Sequence, residues 1–153
     1  MTEPQLSFLF SLYTANQAMV TLVDETVEPY GVADGFAAMG LISAAGPLTP
    51  TTLAQRLGMG LSTTSALIRR LLDRGHVQQR PNPGDGRSYL LDLTEEGRAA
   101  FGAAQPAFQA LVADIEHALT RPAAEVAAVL EELREAVAEA RTTKLAAESP
   151  FTG

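Results

Sequence analysis

One change of period in an otherwise helical pattern constrains this chain more than any other feature. Apolar residues recur at three- and four-residue steps along most of its length, but over residues 77–93 they alternate. Upstream of that switch, proline and glycine cut the pattern at Pro29, at Gly46-Pro47 and at Gly58-Met59-Gly60. The result is a series of short helices, one two-stranded hairpin and then two long helices: a mainly α fold with a small β-hairpin. No internal repeat or low-complexity tract interrupts it.

Leu6, Leu9, Phe10, Tyr13, Val20, Val23 and Val27 describe an amphipathic helix over roughly 5–28, ended by Pro29. Asp34 is placed to cap a second helix carrying Phe36, Met39, Leu41 and Ile42, which must stop near Gly46-Pro47. Thr49-Pro50 starts a third, with Leu53 and Leu57 inward. There the threonine oxygen can accept an orphan amide, and proline at the first helical position gives up a bond it would not make. Beyond the glycine turn a fourth helix opens at Gly60 or Ser62 and runs through Leu67, Ile68, Leu71 and Leu72 to Gly75. Val77 to Pro81 and Ser88 to Leu93 read as strand and return strand around Asn82-Pro83-Gly84-Asp85-Gly86, with Tyr89, Leu91 and Leu93 on one face. Thr94 caps a long helix with Glu95 and Glu96 at the positive end of its dipole. Its apolar stripe is Phe101, Phe108, Leu111, Val112, Ile115 and Leu119, and Pro106 predicts a kink. After Thr120-Arg121-Pro122 a last helix carries Val126, Val129, Leu130, Leu133 and Val137.

Charge is distributed unevenly. The chain carries a net −7, yet residues 1–55 hold no Lys or Arg at all. Residues 52–90 hold Arg56, Arg69, Arg70, Arg74, Arg80 and Arg87 against Asp73 and Asp85, a local charge of +4, and the remainder carries −11. One compact basic module in an acidic chain suits nucleic acid on a single face. The absence of cysteine removes disulfides, thiolate zinc sites and iron–sulfur ligation. His76 and His117 alone leave little for a metal, so no metal and no cofactor are expected. No run of 18 uncharged apolar residues occurs, and no basic segment precedes an apolar run at Met-Thr-Glu-Pro-Gln, so the sequence predicts a cytoplasmic protein with no membrane partner.

Short helix, glycine turn, second helix and arginine-tipped hairpin, in that order, make a helix-turn-helix followed by a wing. The second of those helices begins with Ser62, Thr63 and Ser65, slim side chains that allow close entry into a major groove, and Arg69 and Arg70 extend the same surface. Arg87 stands on the loop of the hairpin beside glycine, where a narrow minor groove would attract it. Four stretches closely resemble the MarR family of bacterial transcription regulators: Leu53-Ala54-Gln55-Arg56-Leu57, Leu71-Leu72-Asp73-Arg74-Gly75-His76-Val77, Arg80-Pro81-Asn82-Pro83-Gly84-Asp85-Gly86-Arg87 and Leu93-Thr94-Glu95-Glu96-Gly97.

That resemblance implies a winged helix-turn-helix with N- and C-terminal dimerisation helices. The helical dimerisation region falls at 1–30 and 100–147, the DNA-binding region at 31–99 and a flexible tail at 148–153. It implies a ligand-responsive repressor acting as a homodimer on a pseudo-palindromic, double-stranded operator. The residues expected at DNA are Ser62, Thr63, Ser65, Ala66, Arg69, Arg70, Arg80, Asp85 and Arg87. Asp85 and Arg87 match the family's Asp-x-Arg wing motif, in which Arg87 enters the minor groove and Asp85 holds a nearby guanidinium, Arg69 or Arg80. Many members carry arginine where Ala66 stands and aspartate where Arg69 stands, so base contacts do not transfer. The family often binds a small hydrophobic or phenolic effector, for which Tyr13, Gln17, Phe36, Met39 and Phe108 are placed by their helical positions.

Other functions find less in the sequence. No base, nucleophile and metal set assembles an active site: Glu131, Glu132 and Glu135 read as a solvated helix face, and Gly84-Asp85-Gly86 lacks the Lys and following helix of a phosphate loop. The competing reading is a winged-helix interaction module whose helices grip a partner protein while the basic face stays idle.

Overall fold

The computed structural model describes residues 4–148, with side chains from Phe8 onward. Helices α1 (Pro4–Val27), α2 (Phe36–Ala45), α3 (Pro50–Leu57) and α4 (Leu61–Asp73) lead into an antiparallel pair, β1 (Val77–Pro81) and β2 (Tyr89–Leu93). Helices α5 (Glu95–Ala118) and α6 (Ala123–Ala147) follow. The chain divides into two compact units, Met1–Leu111 and Val112–Gly153. Among the described residues no helix is long and apolar enough to cross a membrane. The expected tail falls outside the described residues except for Glu148, which ends α6.

The first unit has one core. Met39 and Ile42 of α2, Leu53 of α3, Leu67, Ile68 and Leu71 of α4, Val77, Leu91 and Leu93 of the hairpin, and Phe101 and Ala104 of α5 all meet there. Local signals set these elements in place. Thr49 Oγ1 accepts the Thr52 amide at 3.1 Å, as its capping position requires. Gly58 takes a left-handed φ of 66°, which lets the amides of Gly58 and Met59 close the end of α3 on the Ala54 carbonyl. The hairpin register runs from Val77 opposite Leu93 to Pro81 opposite Tyr89, placing Leu91 and Leu93 inward. Proline is tolerated at the end of a two-stranded edge because no further strand needs its missing amide. Leu48 adds a one-residue bridge to Leu91, its amide donating at 3.0 Å and its carbonyl accepting at 2.7 Å.

Asp34 does not cap α2, contrary to the sequence expectation. Gly35 occupies the cap position, with no side-chain bond. Asp34 itself adopts a left-handed φ of 55°, and its carboxylate turns away to arginines of α4. Pro106 lies inside α5, which remains continuous across it.

Much of the stripe read on α1 lies open. Val27 is buried and Val23 half-buried, but Val20 is exposed and Leu9, Phe10 and Tyr13 are each more than half exposed. In the second unit, α6 buries no residue, and Val129, Leu130 and Val137 are exposed. Arg134 donates to both carboxylate oxygens of Glu131 on α6, and that bonding holds the Glu131 carboxyl below its ordinary pKa.

The junction of α4, the hairpin and α5 is unusually close. Thr94 donates its amide to the His76 carbonyl at 3.0 Å, while its hydroxyl donates to the Gly75 carbonyl and accepts the Gly97 amide at 2.9 Å. A β-carbon at Gly97 would overlap the His76 carbonyl oxygen, and backbone at both sides leaves nothing flexible to give way. Gly97→Ala should therefore cost about 1–3 kcal/mol of stability, the range for overpacking. Thermal or denaturant unfolding measures it, and an unchanged melting temperature would contradict this account of the junction.

Candidate nucleic-acid interface

Helix α4 turns Leu67, Ile68 and Leu71 into the core and leaves Ser62, Thr63, Ser65, Ala66, Arg69 and Arg70 exposed. Its hydroxyls are not equivalent. Thr64, fully buried, donates to the Gly60 carbonyl at 3.0 Å, and Ser65 donates to the Leu61 carbonyl at 2.8 Å. Among the described residues, Ser62 and Thr63 spend their hydroxyls on no protein partner, so those two remain open to a ligand. The face they share with Arg69 is slim at its start and cationic further along.

The wing tip is built by two side chains that imitate turns. Asn82 Oδ1 accepts the Gly84 amide at 3.1 Å, and Asp85 Oδ1 accepts the Arg87 amide at 3.0 Å. Ser88 donates its amide to the Asp85 carbonyl at 3.2 Å and closes the loop. Arg87 projects from this loop, exposed and without an ion-pair partner among the described residues. The sequence expectation that Asp85 holds the guanidinium of Arg69 or Arg80 is corrected here: Asp85 shapes the backbone under Arg87. A carboxylate two residues before an amide can satisfy it within one turn, and that local bond keeps Asp85 on its own loop.

Arg80 is held by a different carboxylate. Asp92 Oδ2 lies 3.2 Å from Arg80 Nε, and Asp92 Oδ1 accepts from Arg98 Nη2 at 2.9 Å. The Asp92 side chain is 6% exposed while both arginines are more than half exposed, so one sheltered carboxylate ties the wing to the first turns of α5. Sequence reasoning missed Asp92, which looks like an ordinary outward residue of an alternating strand. The available signal was the register: Arg80 pairs with Leu90, which sets Asp92 diagonally across on the same face.

Arg70 and Arg74 face a second carboxylate. Arg74 donates to the Ala33 carbonyl at 3.0 Å and to Asp34 Oδ2 at 3.3 Å, and Arg70 Nε stands 3.8 Å from the same oxygen. Asp34 and Arg70 also line a cavity of about 860 Å³ within the first unit, together with Val20, Val23, Asp24, Leu41, Arg56, Phe101 and Gln105. Of the residues expected around an effector, Phe36 and Phe108 line this cavity with ring centroids 4.9 Å apart. Met39 lies in the closed core, and Tyr13 and Gln17 sit on exposed α1 outside the lining. A helix's apolar face does not reveal which of its residues are sealed by neighbours and which border a void. His76, also buried, leaves Nδ1 without a hydrogen-bond partner and lies at the junction below the wing.

Residues 36–88 match the MarR family, a span that runs from the first residue of α2 through the wing loop. The multiple antibiotic resistance protein MarR of Salmonella typhimurium is 33% identical over 89 residues, 58% of this chain. The chain spans 62% of the length of this curated relative. Among solved structures, a mutant MarR from E. coli complexed with operator DNA aligns with a TM-score of 0.74 and 27% identity, covering 88% of this chain and 96% of that one. The M. tuberculosis transcriptional regulator MosR, in complex with DNA, shares the fold with a TM-score of 0.78 at 22% identity, covering 87% of this chain and 97% of that one.

The Asp92 cluster makes a stability difference that separates it from Asp85. Asp92→Ala removes a sheltered carboxylate bonded to two arginines and should destabilise the protein by about 1–3 kcal/mol, the range for hydrogen bonds to charged groups. Asp85→Ala, at an exposed loop, should cost less than about 1 kcal/mol. Parallel denaturant titrations test the order; equal losses would refute it.

Proposed function

We propose, from the match of residues 36–88 to the MarR family, that this chain is a sequence-specific DNA-binding transcription regulator, a repressor that acts as a homodimer on a pseudo-palindromic operator. The observation that carries this reading is the pairing, within one unit, of the exposed α4 face with an exposed Arg87 at the wing tip that has no partner among the described residues. The E. coli relative of similar fold was solved with operator DNA, which supports the same use here.

The physical roles follow from placement. Ser62, Thr63, Ser65 and Ala66 present little bulk at the start of α4, so the helix enters the major groove closely, with the free hydroxyls of Ser62 and Thr63 nearest to base edges or phosphates. Arg69 lies further along the same helix and meets the backbone, with Arg70 beside it. Arg87 enters the minor groove, where negative potential is concentrated, on a loop that Asp85 keeps rigid. Arg80 is aimed by Asp92 and contacts phosphate beside the wing. The unburied stripes of α1 and α6 support dimerisation, because large apolar surface of this kind is costly in an isolated monomer. Two copies then present two reading helices to successive major grooves about 34 Å apart. The mainly apolar cavity supports a small hydrophobic or phenolic effector that shifts the balance between DNA-competent and incompetent forms. The protein works in the cytoplasm as a regulator and not as an enzyme.

Selection of bound duplexes from a random pool should return a two-fold symmetric site. If each subunit neutralises about four phosphates, the logarithm of affinity should fall with the logarithm of salt concentration at a slope of about −7. Arg87→Ala should weaken operator binding by about 1–3 kcal/mol, roughly fivefold to 150-fold, without moving the melting temperature. A salt-independent duplex interaction, or a loss at Arg87 seen only in stability, would overturn the reading.

A further inference from the structure

Arg70 occupies a boundary. It belongs to the exposed face of α4, one turn beyond Ala66, and it also forms part of the cavity wall opposite Asp34. Its Nε stands 3.8 Å from Asp34 Oδ2, an ion-pair distance too long for a hydrogen bond, with the two side chains 51% and 45% exposed. Arg74 uses the same carboxylate differently: it donates to Asp34 and to the Ala33 carbonyl at once, pinning the segment before α2 to the end of α4. Asp34 is held from its other side as well, because its own amide donates to Asp24 Oδ1 at 2.9 Å. Its left-handed φ of 55° is a conformation that aspartate and asparagine accept and most side chains do not.

We propose that Asp34 is a positioning residue for the reading helix, one that holds the Arg70 guanidinium at the cavity wall and so competes with DNA phosphate for it. This rests on the DNA-binding reading above and adds to it a residue outside the helix-turn-helix and the wing. The chemistry favours exchange. A half-exposed ion pair without a hydrogen bond is weak, whereas a phosphate offers arginine two parallel acceptors. Arg74 stays fixed by its two hydrogen bonds, so Arg70 can leave Asp34 without loosening the strut between α4 and the segment before α2. The cavity and the reading helix thereby share one ion pair, and the carboxylate of Asp34 sets how much of Arg70 is available to the duplex.

Asp34→Asn tests this cleanly. Asparagine keeps the left-handed backbone, the amide donated to Asp24 and an oxygen for Arg74, and removes only the charge that competes for Arg70. In the full-length protein, measured by fluorescence anisotropy on a labelled duplex obtained by selection, Asp34→Asn should tighten binding about threefold to tenfold and steepen the salt slope by about one to two, one further phosphate contact per subunit. In an Arg70→Ala background the same substitution should change neither quantity. Asp34→Gly, which also accepts the backbone, serves as the second variant should asparagine impair folding. An equal gain in both backgrounds would mean a general field effect and would overturn the proposal, as would unchanged or weakened binding by both Asp34 variants. Wild-type protein that ignores duplex would instead defeat the regulator reading itself, and this inference with it, so the two failures are distinguishable.

Discussion

The geometry of the first unit depends on one backbone contact, the first turn of α5 seated on the carbonyl of His76. Three things must hold together there. The chain must leave α4 and enter β1 immediately, Thr94 must bond to both Gly75 and Gly97, and residue 97 must have no side chain. These fix the base of the hairpin against the end of α4. A two-stranded hairpin alone has little stability of its own, so its direction has to be imposed from below. The junction imposes it, and the core residues Val77, Leu91 and Leu93 seal the inner face. The wing loop and the exposed side of α4 are therefore held to a common base, which is what the proposed reading of two adjacent grooves would demand.

On that surface the arginines fall into two groups, separated by whether a carboxylate has claimed them. Arg74, Arg80 and Arg98 are engaged by Asp34 and Asp92 and act partly as struts. Arg69 and Arg87 have no such partner among the described residues and stand out from the protein. Simple charge counting treats all of these alike. The distinction matters because a guanidinium already satisfied by a buried carboxylate gains less from phosphate than one whose donors face water. Arg70 sits between the groups, paired at a distance that permits release.

What could be read in the sequence was local. Thr49 and Thr94 cap helices as their spacing suggests, the break at Gly58 closes α3, and the switch to alternation marks the hairpin, because each of these bonds spans a few residues of chain. The roles of the acidic residues were not readable in the same way. Asp34 stands where a helix cap would stand, yet its carboxylate meets an arginine 40 residues later. Asp85 sits where a family motif suggests an ion pair, yet the nearest donor is the amide two residues on. Asp92 occupies an outward position of a strand and is buried by two arginines that fold over it. For Asp34 and Asp92 the outcome turns on which donor tertiary packing brings nearest, about which sequence spacing carries no information, whereas at Asp85 a local turn bond takes the carboxylate before any distant guanidinium. The cavity follows the same rule, since Phe36 and Phe108 meet only through the packing of α2 against α5.

The overall charge then acquires a physical meaning. A chain with −11 outside residues 52–90 repels a polyanion over most of its sequence, and only the +4 segment attracts one. Repulsion of this kind does not weaken the correct complex much, because salt screens charges more than about 8–10 Å from the contact. It does penalise every other orientation, in which acidic residues would approach phosphate directly. Net negative charge and the proposed DNA binding are thus compatible: the acidic residues would disfavour wrong poses, and the α4 face and Arg87 would provide the attraction in the one that remains.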